Sequence, residues 1–575
     1  MKKVQREEMI YMAIVITFLL ASFLYGINRV YGFSLFPDEF GYWASAAKVV
    51  GYDWSGISSL GSYYSFGYSL ILAPILCIFR DALWAYRAAV TANAALLVAS
   101  LFLLNSILRQ LLPNLQAKCR ILFAGIAVCY PTWFMYMNMT LTEIVLVFTV
   151  LLVCYFLLRY LKTMRVMDLI LTALATGYLY TIHMRTVAIV LAVVCAVLVR
   201  MITNSGKSKK QLILGALGLL GILGVGVRGV TFIKELVQAN VYTEAEEAVL
   251  AVNDYAGQWN KVLGIFSLKG MSRFLVSLIA KVFYLGMASF GLFYYGLAFM
   301  IQKICDRKET KEKRCFYLFL LLAVVGQILV CAIYAQDYGR IDALLYGRYN
   351  EHILPMVMAL GCVMLLRGKH TGKLLTGMVV LGIPTVAMIE HVIAKYGMTN
   401  IHDGYFISGM SYLLRYVPFE PENYFWKAFA LSAVFCLVLY GVFLLIRKKW
   451  EWLWMLCVVV GLECLMGLSL GEYYTFRYNA LAYADLSLGE RLEGMLLEPE
   501  RRLVSYGNNS SDHYISSIQF VLRDTQIYLV EEDAYDMLKE RVIVLVSGTH
   551  GKEEELEQYY TKRKAYGSFW VYYNE

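Results

Sequence analysis

The stretch FGYSLILAPILCIF, residues 66–79, decides how the rest of the chain is read. It is apolar throughout but only 14 residues long, and a helix that crosses a bilayer needs about 20. Basic clusters flank it on both sides: Lys2/Lys3/Arg6, Arg109/Lys118/Arg120, Arg159/Lys162/Arg165 and Arg200/Lys207/Lys209/Lys210, then Lys303 to Arg314, Arg367/Lys369/Lys373 and Arg447/Lys448/Lys449. Lys and Arg accumulate in cytoplasmic loops. All the clusters share one side only if 66–79 is left out as an interfacial or re-entrant piece. Counted as a full span, it would send the later clusters outside.

Thirteen spans then remain, at 9–27, 82–105, 121–137, 141–158, 169–182, 186–200, 211–227, 274–300, 316–334, 353–366, 373–393, 426–446 and 451–470. This arrangement places the N-terminus in the cytoplasm and the C-terminus outside, in a multi-pass protein of the plasma membrane. The first run follows MKKVQREE and ends in no small-x-small cleavage site, so it reads as a retained anchor.

Composition agrees. Hydrophobic residues make up 59% of the 575 and charged ones 17%, against about 25% charged in soluble domains. The net charge of +9 comes with the cytoplasmic clusters and calls for no nucleic acid. The twelve cysteines form no CxxC or Cys/His cluster, which argues against a zinc site or a disulfide framework.

The expected fold is therefore an all-α polytopic membrane domain over 1–470, with outer loops 28–81, 228–273, 335–352 and 394–425, followed by a small extracytoplasmic α/β domain over 471–575. In that tail, strand candidates 502–507, 526–530, 542–548 and 568–573 alternate with helical stretches 511–523, 532–540 and 552–563. Such alternation predicts parallel strands. The turn Gly507-Asn508-Asn509-Ser510 lacks the GxGxxG spacing of a nucleotide site.

An ionisable group at mid-bilayer costs about 2.5–3.5 kcal/mol on insertion scales, so each one in a span needs a reason. Arg87, Glu143, Lys281, Glu390, His391, Lys427 and Glu463 all fall in the outer halves of their spans, and His183, Arg185 and His352 sit at outer span ends. That asymmetry predicts a polar cavity open to the outside. Plainer readings exist for single residues. Lys281 and Lys427 would snorkel to the interface, Arg348 would pair with Glu351 or Asp342, and Asp38–Glu39 would be a solvated acid pair.

In order along the chain, PDEFGYW (37–43), YYSFGYSLILAP (63–74), WAYRAA (84–89), NMTLTE (138–143), HMRT (183–186) and YGRYNEHILP (346–355) resemble the outer-face motifs of one family. It is the GT-C integral-membrane glycosyltransferases, specifically the protein O-mannosyltransferase and aminoarabinose-transferase-like group. The resemblance covers roughly residues 9–470. Ser65 and Phe66 replace a usual proline pair, the Glu-Lys of the aminoarabinose branch is missing, and no WWDYG-like motif is present.

The resemblance implies an inverting transferase that moves a sugar from a polyprenyl-phosphate donor to an extracytoplasmic glycan, lipid or protein. Asp38 would be the general base, with Glu39 as runner-up or acceptor-orienting group. Arg348 and Arg185 would hold the donor phosphate, supported by His183 and Tyr349. Glu143 would orient the acceptor or hold a divalent cation, Mg or Mn, although nothing in the spacing establishes a metal. Tyr42, Trp43, Trp54, Tyr63 and Tyr64 would stack on sugar rings or anchor the interface. A lipid-linked-sugar flippase and a non-catalytic envelope-assembly protein are the competing classes. The cysteine and charge pattern fits a bacterial plasma membrane.

Overall fold

The structure is a computed structural model of the chain. It describes residues 2–34, 36, 38–58, 65–203, 221, 224, 228–229, 232, 259–334, 344–345, 347–396, 409–412, 423–483, 491–492, 494–495, 502–506, 513–530, 542–547, 553–566 and 569–574. The expected helix 532–540, most of the expected span 211–227, and Tyr63, Tyr64 and Asp342 lie outside them.

The protein is a multi-pass helical membrane protein with a small C-terminal sheet. Among the described residues nine helices are long and apolar enough to cross a bilayer, or ten if Ala117–Val128 and Pro131–Met137, bent by 60°, form one span. The expected count of thirteen is not confirmed among the described residues, where some spans differ in form from those drawn. The span drawn at 274–300 is two helices, Leu268–Ala288 and Leu292–Cys305, because Phe290 (φ 51°) and Gly291 (φ 81°) turn the chain between them. Val166–Ile182 has 17 residues, roughly 26 Å at 1.5 Å per residue. In the bent pair, Pro131 starts a new helix after extended Tyr130, as its missing N–H and fixed φ favour.

The opening stretch forms the ten-residue helix Ser69–Ile78, about 15 Å long and half the thickness of the hydrocarbon core. It packs against Asp38–Val50, whose first turn carries Asp38 and Glu39, where the helix dipole favours acids. Gly67 comes so close to the chain at Thr181–Ile182 that a Cβ would lie 2.5 Å from the Ile182 nitrogen, and its N–H donates to the Thr181 carbonyl at 2.8 Å. The first loop is thereby stitched to the start of HMRT.

The last span does not stop at 470. Trp454–Gly471 continues as a π-helix over Glu472–Phe476 and an α-helix over Arg477–Ala482. Beyond it, β1 (Arg502–Tyr506), β2 (Ile527–Val530), β3 (Val542–Ser547), β4 (Lys562–Tyr566) and β5 (Phe569–Tyr573) form one sheet in the order β2-β1-β3-β5-β4. β1 is parallel to β2 and β3, but β5 runs antiparallel to β3 and β4, so the sheet is mixed. The expected helix 552–563 is only Glu553–Leu556 before β4 begins. KRKAY reads as polar helix because it is an exposed edge strand, where lysine and arginine discourage further pairing.

One face of this sheet, with Leu503, Ile527, Ile543 and Val571, is continuous with the core of the helical bundle. Phe520, between β1 and β2, packs with tilted rings at 4.9 Å from Phe33 and 4.8 Å from Trp43. Trp54 donates to the Arg523 carbonyl at 2.9 Å, and Arg523 donates to the carbonyls of Phe79 (2.7 Å) and Leu76 (3.2 Å). The tail thus grips both ends of the first loop.

Candidate active site

Asp38 and Glu39 are adjacent in sequence but serve different surroundings. Glu39 is fully buried. Its Oε1 accepts from the Ser34 backbone N–H (2.6 Å) and hydroxyl, and its Oε2 from the Tyr86 hydroxyl, the Thr140 N–H and the Thr140 hydroxyl, each at 2.6 Å. Five donors fill both oxygens, which is the geometry of an anchor joining the loop to the helix Ala82–Leu111 and to the turn before Glu143. The Thr140 hydroxyl also accepts from Trp43 Nε1 at 3.0 Å. Tyr42, Trp43 and Trp54 are buried packing residues, not the open stacking surface expected for sugar rings.

Asp38 turns the other way and retains some exposure. Its Oδ2 accepts from Arg348 Nη1, while Arg348 Nε donates at 2.6 Å to Glu143 Oε1. Arg185 Nη2 donates to that same Glu143 oxygen at 3.1 Å. Arg348 also lies 5.0 Å over the Phe36 ring, and Arg185 lies 4.8 Å over Tyr349. Both arginines and Glu143 are buried. The four groups form a chain, Asp38–Arg348–Glu143–Arg185, whose two positive and two negative charges cancel. Glu143 opens the helix Glu143–Thr163, so the helix dipole adds positive potential there.

His183 caps Val166–Ile182 and accepts the Arg185 backbone N–H on Nδ1 at 3.3 Å. Burial and the charges of Arg185 and Arg348 hold its pKa well below the usual value. It is therefore a neutral imidazole with its proton on Nε2, free to donate. Tyr349 packs edge-on at 6.3 Å from it. The expected residues Asp38, Glu143, Arg185, His183, Arg348 and Tyr349 thus meet at one end of the bundle, and Glu39 stands behind them.

The structure adds partners that the sequence did not single out. Glu351 does not take Arg348, as a plain interfacial pairing would have it. Its Oε1 accepts from Tyr284 (2.5 Å) and Tyr130 (2.8 Å), and the Tyr284 oxygen accepts the Gly409 N–H at 2.8 Å. Burial pushes the Glu351 carboxyl up to about 7 against the pull of these hydroxyls. Lys281 is buried rather than snorkelled, and donates to the Leu344 carbonyl at 3.0 Å. A Cβ on Gly347 would lie 2.1 Å from the Tyr284 ring, so the Arg348 segment closes tightly on that tyrosine. Together these contacts fix the backbone that carries Arg348.

Two guanidiniums already hold Glu143, and among the described residues no group of three or more His, Cys, Asp or Glu is arranged around a common point.

No family model matches the chain, and no curated protein matches it. Among solved structures, it superposes on ArnT from Cupriavidus metallidurans bound to undecaprenyl phosphate with a TM-score of 0.58 and 14% identity, over 98% of this chain and 97% of that one. The apo state of the same protein gives 0.53 and 13%, over 97% of each. The fold is the GT-C fold, as the order of the outer-face motifs implied.

Proposed function

We propose that the chain is an inverting glycosyltransferase that moves one sugar from a polyprenyl-phosphate donor to a hydroxyl on an extracytoplasmic glycan, lipid or protein. The observation that carries this reading is the buried chain Asp38–Arg348–Glu143–Arg185, in a fold shared with a protein solved with undecaprenyl phosphate. It sets a partly exposed acid against one buried guanidinium, with a second guanidinium beyond Glu143, which supports a base beside a phosphate-binding pair. The site-bearing end of the bundle faces away from the cytoplasm, in a bacterial plasma membrane.

In this reading Arg348, Arg185, the His183 Nε2–H and the Tyr349 hydroxyl bind the donor phosphate. Guanidinium forks suit its oxygens and stay charged at any working pH. Because the four-residue chain is electroneutral, an arriving phosphate needs a cation released to it. Arg348 Nη1 is that donor, and its exchange from Asp38 to phosphate leaves the Asp38 carboxylate open toward the acceptor. Asp38 then takes the hydroxyl proton as the acceptor oxygen bonds to the anomeric carbon. The bond from that carbon to the phosphate oxygen breaks, its electron pair leaves with the phosphate, and buried guanidiniums stabilise the growing charge. Glu143 keeps both arginines in place, and no step requires a metal.

The test offers purified protein in detergent a panel of radiolabelled polyprenyl-phosphate sugars with crude envelope acceptor. Label leaving the lipid fraction supports the reading and names the sugar. No transfer from any donor by folded protein counts against it, and the flippase class would be tested next.

A further inference from the structure

A second site lies at the same end of the bundle, where the first helix meets the last. The first helix ends at Ile27. Two residues later Arg29 donates to Glu472 through Nη1 at 2.5 Å and Nη2 at 2.7 Å, and to the Tyr25 hydroxyl at 2.9 Å. It also lies 5.1 Å over the rings of both Tyr25 and Phe476. The last helix widens into its π-turn at this level, Glu472–Phe476, and returns to α geometry at Arg477. Such turns break an otherwise regular helix and frequently mark functional sites.

The junction holds a half-open cavity of about 460 Å³ lined by Arg29, Tyr31, Glu472, Tyr473, Phe476 and Arg477, with Ala480, within the range of small-ligand pockets. Arg477 is exposed and, among the described residues, has no hydrogen-bond or ion-pair partner. The bidentate pair with Glu472 offsets Arg29, so among the described lining residues the uncancelled positive charge is that of Arg477. Tyrosines around an arginine at the end of a span mark the headgroup layer. Below the cavity, Leu465 lies two turns before Glu472 on the same helical stripe, and it is exposed, as are Leu20 and Leu24 of the first helix.

We propose that this cavity binds the phosphodiester headgroup of a glycerophospholipid in the leaflet on the site-bearing side. A phosphodiester carries one negative charge, which matches the single uncancelled guanidinium. Free phosphate or a phosphate monoester carries nearer two at neutral pH, and free phosphate has no acyl chains to lie along the exposed leucines. Tyr31 and Tyr473 supply the polar aromatic edge at the mouth. The site has a structural link to the rest of the molecule. The N–H groups of Tyr31 and Gly32 donate to Asn479 Oδ1 at 3.0 and 3.3 Å, so the cavity wall is tied to the segment leading to Ser34 and Glu39.

The experiment is native mass spectrometry of the full chain, released from detergent and titrated with short-chain phosphatidylglycerol. One lipid should bind per chain and saturate. Arg477→Ala should weaken binding roughly tenfold, the loss of one charge-assisted hydrogen bond, and Arg477→Lys should restore most of it. Arg165→Ala removes an exposed arginine beyond the far end of Glu143–Thr163 and should change nothing. Inorganic phosphate in excess should not displace the lipid. Unsaturable binding, equal affinity in Arg477→Ala, an equal loss in Arg165→Ala, or displacement by inorganic phosphate would each overturn the assignment. No outcome depends on transferase activity.

Discussion

Arg348 donates through Nη1 to the carboxylate of Asp38, 310 residues away in sequence. The proposed base and the proposed phosphate ligand therefore occupy one another until a donor arrives.

That pairing yields an expectation that runs against intuition. Asp38→Asn should cut transfer by about 100- to 10,000-fold, the usual contribution of a general base. The same variant should bind polyprenyl phosphate as tightly as the wild type or up to about tenfold more tightly, because a competitor for Arg348 has lost its charge. Transfer assays and ligand titration on matched folded samples would check both halves. Weaker phosphate binding in Asp38→Asn would count against the exchange.

Glu39→Gln should behave in the opposite way. The amide keeps the shape but loses charge and acceptor capacity among five donors. A loss of about 2–4 kcal/mol in stability is expected from breaking such a buried network. Turnover per folded molecule should stay within about threefold, since the residue faces away from the reacting atoms. Thermal unfolding in detergent alongside single-turnover transfer separates the effects. A folded Glu39→Gln protein with no turnover would return Glu39 to the chemistry.

Glu351 gives a pH dependence whose sign follows from its raised value of about 7. The native state holds the Glu351 proton at pH values where the unfolded chain, near its ordinary 4.5, has released it. Its contribution to stability is therefore full below about 4.5 and falls as pH rises toward 7. Glu351→Gln, which cannot ionise, should lack this component. Apparent melting temperatures across that pH range, compared as wild type minus variant, should decline as pH rises. A flat difference would mean that Glu351 titrates normally in the folded state.

Phe520 and Arg523 should matter to the site although they belong to the C-terminal sheet region. Phe520→Ala removes a buried ring packed on Phe33 and Trp43, a change that costs about 3–5 kcal/mol. The loss falls on the loop carrying Asp38, so proteolysis within 28–58 should rise and transfer should fall with it. Phe520→Leu should recover much of both. Deletion of 471–575 should abolish transfer, because it also removes Glu472, Asn479 and the Arg523 contacts. Unchanged transfer in Phe520→Ala would mark the sheet as an independent module.

The sequence by itself determined that this is a polytopic membrane protein, that residues 66–79 do not span, where four of the five strands lie, and which outer motifs to gather into a site. Those features are written locally, in the length of apolar runs, in period-two alternation and in the side on which basic clusters fall. Only the tertiary structure decided how the two members of the acid pair divide their partners. Asp38 and Glu39 are equivalent in any local reading, and donors from Tyr86 and Thr140 claim one while Arg348 claims the other. The break at Phe290–Gly291, the Glu351–Tyr130–Tyr284 cluster and the grip of the tail on the first loop were hidden for related reasons. The break is a backbone conformation inside an unbroken apolar run. The cluster and the grip join partners up to 469 residues apart. Hydropathy is a property of neighbours along the chain, whereas a hydrogen bond depends on which atoms the finished packing brings within 3 Å or so.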